Sequence, residues 1–140
     1  MANRRLAREL ALQALFYFDM EKDENNSEKM LKLFSTNFEE RVKNAGEPFF
    51  LDLVHGVLEF MPRIDDLLKA CSKNWKVSRM SGVDRNIMRI AIFELINCSD
   101  IPSKVSINEA LEIAKKYGSS GSASFINGVL DCVRVSEGIE

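Results

Sequence analysis

Residues 83–98 read VDRNIMRIAIFELINC, and this stretch decides the fold class. Its apolar side chains recur at spacings of three and four residues, which is the repeat of an α-helix. The stretch is so rich in apolar residues that little of its surface is suited to contact with water. We therefore predict a central, mostly buried helix with the rest of the chain packed around it.

Helical spacing continues on both sides of this stretch. Towards the N-terminus, the acidic segment 20–27 predicts a loop, and Ser27 is a suitable cap for a second helix. Gly46 is a stop signal, and Pro48 suits the first turn of the next helix. Pro62 then predicts a kink or a restart, because proline removes a helical hydrogen bond.

Two local signals bear on the C-terminal half. SINE at 106–109 matches a capping box that starts a helix. Asn127-Gly128 is a strong hairpin signal, but the apolar residues around it keep helical spacing, so we predict a helix there too. Glycine inside a helix costs about 1 kcal/mol relative to alanine. We therefore expect another helix to approach Gly128 closely.

The chain of 140 residues has the length of one domain. We predict an all-α fold of about seven helices over residues 1–140, with N-terminal helices at about 3–61 and C-terminal helices at about 62–136. No apolar run is long enough to cross a membrane, and no secretory signal is visible. The cysteines are widely separated in the sequence; they are Cys71, Cys98 and Cys132. We therefore expect buried, reduced thiols rather than disulfides or a zinc site, and a cytoplasmic protein.

Signatures of catalysis are weak. His55 is a lone histidine on an apolar helix, and Asp65 and Asp66 are adjacent, so their side chains diverge by about 100° on a helix. The glycines at 117–124, YGSSGSAS, lack the GxxxxGK[ST] pattern of a phosphate loop. We therefore expect no enzymatic activity, cofactor or metal.

The first helix is the most informative part of the chain for function. Phasing at 100° per residue places Arg4, Arg5 and Arg8 on an outer face, which Leu12 and Phe16 share two turns later. Guanidinium groups bind phosphate and aromatic rings stack on bases, so this face suits RNA. The alternative is that Leu12 and Phe16 lie under another helix while the arginines extend into water. The opposite face is predicted to be the core side; it holds Leu6, Ala7, Leu10, Ala11, Ala14, Tyr17 and Phe18.

The net charge of −2 argues against a protein that binds nucleic acid alone through its overall charge. A local patch, or a second protein that supplies positive charge, is needed. Tyr117 and Phe125 form another candidate surface around the segment 119–124, with Lys115 and Lys116 beside them. Alternatively, Phe125 lies in the core and Tyr117 covers a helix end.

Four stretches together resemble one family. RRLARELALQALF, DRNIMRIAIFEL, IPSKVSINEALEIAKKYG and SFINGVLD, in this order, are similar to the NusB family of bacterial transcription antitermination factors. The resemblance covers most of the chain and implies two packed helical subdomains and a non-enzymatic role. It implies binding to boxA RNA in ribosomal RNA operon transcripts, pairing with ribosomal protein NusE, and work in the RNA polymerase antitermination complex with other Nus factors.

The resemblance also implies roles for individual residues. Phe16 and Asp84 correspond to positions at the NusE surface. The chain departs from the family where some members carry a basic residue, here Leu6, and where a member has an acidic residue, here Gly121. Two other interpretations stay open: a helical scaffold for proteins without RNA binding, and the RNA-binding domain of a ribosomal RNA cytosine methyltransferase. The implied RNA-binding residues are Arg4, Arg5, Arg8, Tyr117, Ser122 and Phe125.

Overall fold

The structure is a computed structural model that describes residues 3–21, 29, 31–32, 34, 36, 38–73 and 75–140. The loop predicted at 20–27 begins inside the first helix, which continues to Glu21. The rest of that loop and the cap predicted at Ser27 lie outside the described residues.

Helices dominate the described residues, and no strand occurs among them, which confirms the all-α prediction. Residues 29, 31, 32, 34 and 36 are helical as well, in the region of the predicted second helix. A short 3-10 helix, Val77–Arg79, precedes the central helix. The α-helices with both ends described are α1 (Arg4–Glu21), α2 (Glu39–Ala45), α3 (Glu47–Cys71), α4 (Gly82–Asn97), α5 (Ser103–Tyr117) and α6 (Ser122–Ser136).

Helix α4 is the centre of the molecule, as its apolar sequence predicts. Every residue from Asn86 to Leu95 is buried, and α1, α3, α5 and α6 all pack against this helix. The crossing with α3 is especially close at Gly56. A Cβ atom there would lie 2.2 Å from the ring of Phe93, so this position needs glycine.

Helix α3 begins as the sequence predicts but does not restart at its internal proline. Gly46 has φ of 94° and separates α2 from α3, and Pro48 lies in the first turn of α3. Pro62 lies inside α3, which continues to Cys71. Core residues on either side of it, Val57 and Ile64 among them, are fully buried and hold the helix together. The boundary at 61/62 therefore falls within one helix, and the division into two subdomains stays a prediction.

The cysteine prediction is wrong for one pair. Cys71 at the end of α3 and Cys132 in α6 form a disulfide, with their Cα atoms 5.7 Å apart although 61 positions separate them in the sequence. The two cysteines meet because α6 packs beside the end of α3. No local sequence pattern predicts that contact. Cys98 is free and half-buried. Burial, together with the charge of Glu94, raises its pKa to about 11.

Two predictions about the C-terminal helices need correction. Helix α5 begins at Ser103, so SINE at 106–109 lies inside it and is no capping box. Asn127-Gly128 is helical, as predicted, but a Cβ atom at Gly128 would meet nothing within 4 Å, so close helix packing does not explain this glycine. Among the described residues, no helix is both long and apolar enough to cross a membrane.

Candidate nucleic-acid interface

Arg8 lies in the interior and is paired with Glu94 of α4. Its Nε and Nη2 atoms donate to the two carboxylate oxygens of Glu94 at 2.8 and 2.7 Å. The side chains are 4% and 1% exposed, and Ser106 Oγ donates to the same carboxylate at 2.9 Å. The prediction that Arg8 shares a solvent-facing surface with Arg4 and Arg5 is therefore wrong.

The reason is that α1 is covered on two sides. One side packs on α3, and the side predicted to face solvent packs on α4 and contacts α5. Leu12 is 4% exposed and lies under these helices, as the alternative interpretation expects. Tyr17, predicted in the core, is 48% exposed. Helix phasing that assumes one buried face cannot predict which residues are buried in a helix with neighbours on several sides.

Glu109 of α5 joins Arg5 to Arg8. The Arg5 guanidinium donates to it through Nη2 at 2.5 Å and Nε at 3.1 Å, and Arg8 Nη1 donates at 3.2 Å. The hydrogen bond to Glu109 and its charge raise the pKa of Arg5, whose side chain remains 54% exposed. Arg4 is exposed and lies over the ring of Phe49, 4.6 Å from its centroid. That contact leaves the charge of Arg4 unneutralised.

A second carboxylate brings Tyr117 to the same end of α1. Glu9 Oε1 accepts hydrogen bonds from Lys116 Nζ at 2.8 Å and from Tyr117 Oη at 2.7 Å. Burial alone would raise the pKa of Glu9, but these hydrogen bonds and the charge of Lys116 outweigh it and lower that pKa. The hydrogen bond to Glu9 raises the pKa of both Lys116 and Tyr117. The exposed ring of Tyr117 is thereby held beside the arginines of α1.

Ser122 and Phe125 lie at the start of α6. Ser122 is buried, and its Oγ accepts a hydrogen bond from the Ser119 amide at 2.9 Å, so it shapes the loop from within. Phe125 is half-buried and packs edge-on against Trp75, with ring centroids 6.1 Å apart. Gly121 is exposed and caps α6.

The predicted partner residues Phe16 and Asp84 come together where α4 begins: Phe16 belongs to α1, and Asp84 lies in the first turn of α4. The ring of Phe16 is 37% exposed and rests on Gly82, where a Cβ atom would be 2.7 Å from it. The Asp84 amide donates to Ser81 Oγ at 3.0 Å. Its Oδ1 is buried and has no hydrogen-bond partner in the part of the chain that the structure describes. Asp84 as a whole is half-buried, so its negative charge lies close to the surface.

Sequence reasoning missed the carboxylates that hold this region together. Asp19 of α1 accepts hydrogen bonds from Asn86, Arg85 and Arg89 of α4. Burial alone would raise its pKa, but Asn86 and the two arginines outweigh burial and lower it. The paired groups are tens of residues apart in the sequence, so no spacing reveals them.

Leu6, at a position that is basic in some members, packs against the core. Nowhere in the described ranges do three or more potential metal ligands gather.

Comparison with known proteins gives matches over most of the chain. A model of the NusB family matches residues 5–134. The chain belongs to the NusB family. A relative from Desulforapulum autotrophicum, a transcription antitermination protein NusB, is 56% identical over 140 residues, which is 100% of this chain and 96% of that protein.

Solved NusB structures have the same fold. A structure of T. maritima NusB is 37% identical and has a TM-score of 0.78, covering 95% of this chain and 92% of that one. A structure of antitermination factors NusB and NusE in complex with dsRNA is 23% identical and has a TM-score of 0.81, covering 95% of this chain and 96% of that one. Because its identity to this chain is only 23%, the similarity to the complex with NusE and dsRNA shows a shared fold and nothing more.

Proposed function

We propose that this NusB-family protein is a transcription antitermination factor. It binds boxA RNA in ribosomal RNA operon transcripts together with ribosomal protein NusE. It works in the RNA polymerase antitermination complex with other Nus factors, in the cytoplasm, and it supports processive transcription by recognition, without catalysis or a cofactor. The observation that carries the proposal is the 56% identity, over the whole chain, to a transcription antitermination protein NusB.

Exposed groups at one end of α1 supply the contacts with RNA. Arg4 and Arg5 bind phosphates, because both carry exposed guanidinium groups at the first turn of α1. Tyr117 and Phe125 stack on unpaired bases, which is how aromatic side chains hold single-stranded RNA. Their positions on either side of the loop before α6 support this assignment.

Arg8 and Ser122 act from beneath this surface. Arg8 is paired with Glu94 and also contacts Glu109, so it fixes the carboxylate that holds Arg5. Ser122 fixes the loop that separates Tyr117 from Phe125 through its bond to the Ser119 amide. Arg8 thus affects RNA binding through Glu109, which restrains Arg5, whereas Ser122 acts by positioning the loop.

NusE binds beside Phe16 and Asp84. The half-exposed ring of Phe16 offers apolar contact area, and the half-buried Asp84 offers a negative charge to a basic partner. A basic partner adds positive charge next to an RNA surface on a chain whose own net charge is −2. RNA should therefore bind the pair more tightly than either protein alone.

Binding of boxA RNA to the protein, alone and with NusE, tests the proposal. Phe16→Asp should abolish the enhancement by NusE and leave the weaker binding of RNA to the free protein unchanged. Val135→Asp is the control, since it adds the same charge at an exposed apolar position near the end of α6. If NusE binds but RNA binds neither the protein nor the pair, the protein is a scaffold and the RNA proposal is wrong.

A further inference from the structure

We propose that Lys73, Trp75, Lys76 and Arg79, which we call the 73–79 segment, form a second contact surface for the same single-stranded RNA. The segment connects α3 to α4. This inference rests on the proposed function, because it extends the RNA path beyond Phe125. Neither the sequence motifs nor the family resemblance assigns a role to these side chains.

The first observation is an exposed aromatic ring in contact with the proposed RNA surface. Trp75 is 57% exposed, and its ring meets that of Phe125 edge-on at 6.1 Å between centroids. A base stacked at Phe125 therefore lies next to a second, larger aromatic ring. Large exposed rings suit sequence-tolerant stacking of bases.

The second observation is uncompensated positive charge around that ring. Lys73, Lys76 and Arg79 are all exposed, and none of them has an ion pair with any residue in the described ranges. Lys76 and Arg79 are separated by one turn of 3-10 helix, with the Arg79 amide bonded to the Lys76 carbonyl at 2.9 Å. Lys76 caps the 3-10 helix Val77–Arg79 and Arg79 ends it, so the two cations lie within one turn of each other.

The third observation is that the segment is held in place. The disulfide at Cys71 fixes its N-terminal end to α6. Ser72 Oγ donates to the Trp75 carbonyl at 3.2 Å. At the other end, Arg85 Nη1 donates to the carbonyls of Val77 and Met80, both at 3.1 Å. The ring of Trp75 is thus positioned before any ligand binds, which lowers the entropy cost of binding.

These three features together favour nucleic acid over a protein as the occupant. A protein partner would cover the ring but would also need acidic groups for three neighbouring cations. An RNA strand supplies both kinds of contact, since its phosphates pair with the cations and its bases stack on the ring. In contrast, Arg5 on the first surface already has Glu109 as a partner.

Fluorescence of the full-length protein tests this inference, because Trp75 is its only tryptophan. Titration with single-stranded boxA RNA should quench the emission of the unmodified protein with the same midpoint as RNA binding. Trp75→Ala should weaken binding about 5- to 150-fold, which is the cost of losing one base stack, whereas Trp75→Phe should keep most of the affinity.

A charge variant supplies the second arm. Lys73→Gln, Lys76→Gln and Arg79→Gln together should lower the slope of log K against log salt by up to about 2, at about 0.7 per phosphate on a single strand. The control removes three exposed or half-buried cations elsewhere, Lys32, Arg63 and Arg134, by the same substitution.

Each outcome has one meaning. An unchanged slope and unchanged fluorescence, in a protein that binds RNA normally, would overturn the 73–79 surface and leave the proposed function intact. Emission that responds to NusE but not to RNA would also overturn it. If RNA binds neither the unmodified protein nor its pair with NusE, it is the proposed function that fails.

Discussion

Arg5 Nη2 lies 2.5 Å from Oε2 of Glu109, although 104 positions separate the two residues in the sequence. One of the two exposed guanidinium groups of the proposed phosphate-binding surface is therefore already bound to a carboxylate before RNA arrives. Phosphate and Glu109 compete for the same guanidinium group. This competition makes the affinity of the free protein for RNA depend on residues that never touch RNA.

Glu109→Gln should therefore strengthen RNA binding. The amide keeps the size of the side chain but no longer holds Arg5 by charge, so we expect severalfold higher affinity and a salt slope steeper by roughly 0.7. Filter binding or anisotropy over a salt series measures both. Glu112→Gln, one turn further along α5, is the control because Glu112 contacts Lys115 instead. Weaker RNA binding by Glu109→Gln would mean that Glu109 orients Arg5 for RNA rather than competing with it.

Arg8→Ala should destabilise the fold by about 3–5 kcal/mol, because it leaves Glu94 buried without its cation. Arg5→Ala should cost far less, since Arg5 lies at the surface. Unfolding in urea measures both variants. Adding Glu94→Gln to Arg8→Ala removes the unpaired charge and should recover part of the loss. Equal stability of Arg8→Ala and Arg5→Ala would contradict the buried pair.

Acid should weaken the contact between α1 and α5 at Glu9. The folded-state pKa of Glu9 lies below its ordinary value of 4.5, so its contribution to stability is present above that pH and is lost as pH falls through the folded pKa. Unfolding in urea between about pH 6 and about pH 3 should show a shallower decline in Glu9→Gln than in the unmodified protein. Glu112→Gln, an exposed carboxylate on α5, is the control. A decline as steep in Glu9→Gln as in the unmodified protein would rule out this contribution.

Cys132→Ser should lower the free energy of unfolding under oxidising conditions. The disulfide constrains a loop of 61 positions in the unfolded chain, which is worth about 4 kcal/mol in the chain-entropy model. Addition of a thiol reductant should remove the difference from the unmodified protein. Cys98→Ser should show no such dependence on reductant, because Cys98 is free. A difference that persists after reduction would point to packing rather than to the bond.

The elements that sequence predicts well are those set by local physics. Helix α4 is visible because its apolar residues are contiguous, and the start of α3 is visible because Gly46 and Pro48 act within a few residues. The errors arise where a distant neighbour decides. Ser106 and Glu109 match a capping box, yet their side chains bind residues of α4 and α1.

The same limit applies to the site. Helix phasing and the family resemblance indicate Arg4 and Arg5 as candidates, the resemblance also indicates Tyr117, and all three are exposed in the structure. The burial of Arg8 could not be predicted, because it depends on how α4 and α5 cover α1. Trp75 gave no functional signal by itself, since its contact with Phe125 joins two separate helical regions.

RNA binding by Arg4 and Arg5 is tested most directly by the salt dependence of boxA RNA binding to the protein paired with NusE. Arg4→Ala with Arg5→Ala should lower the slope of log K against log salt by about 1.4, at about 0.7 for each phosphate contact on a single strand, and should weaken binding. Arg63→Ala with Arg134→Ala, two arginines outside the proposed surfaces, should leave the slope unchanged. A slope and affinity equal to those of the unmodified protein in the Arg4, Arg5 variant would contradict RNA binding at this end of α1.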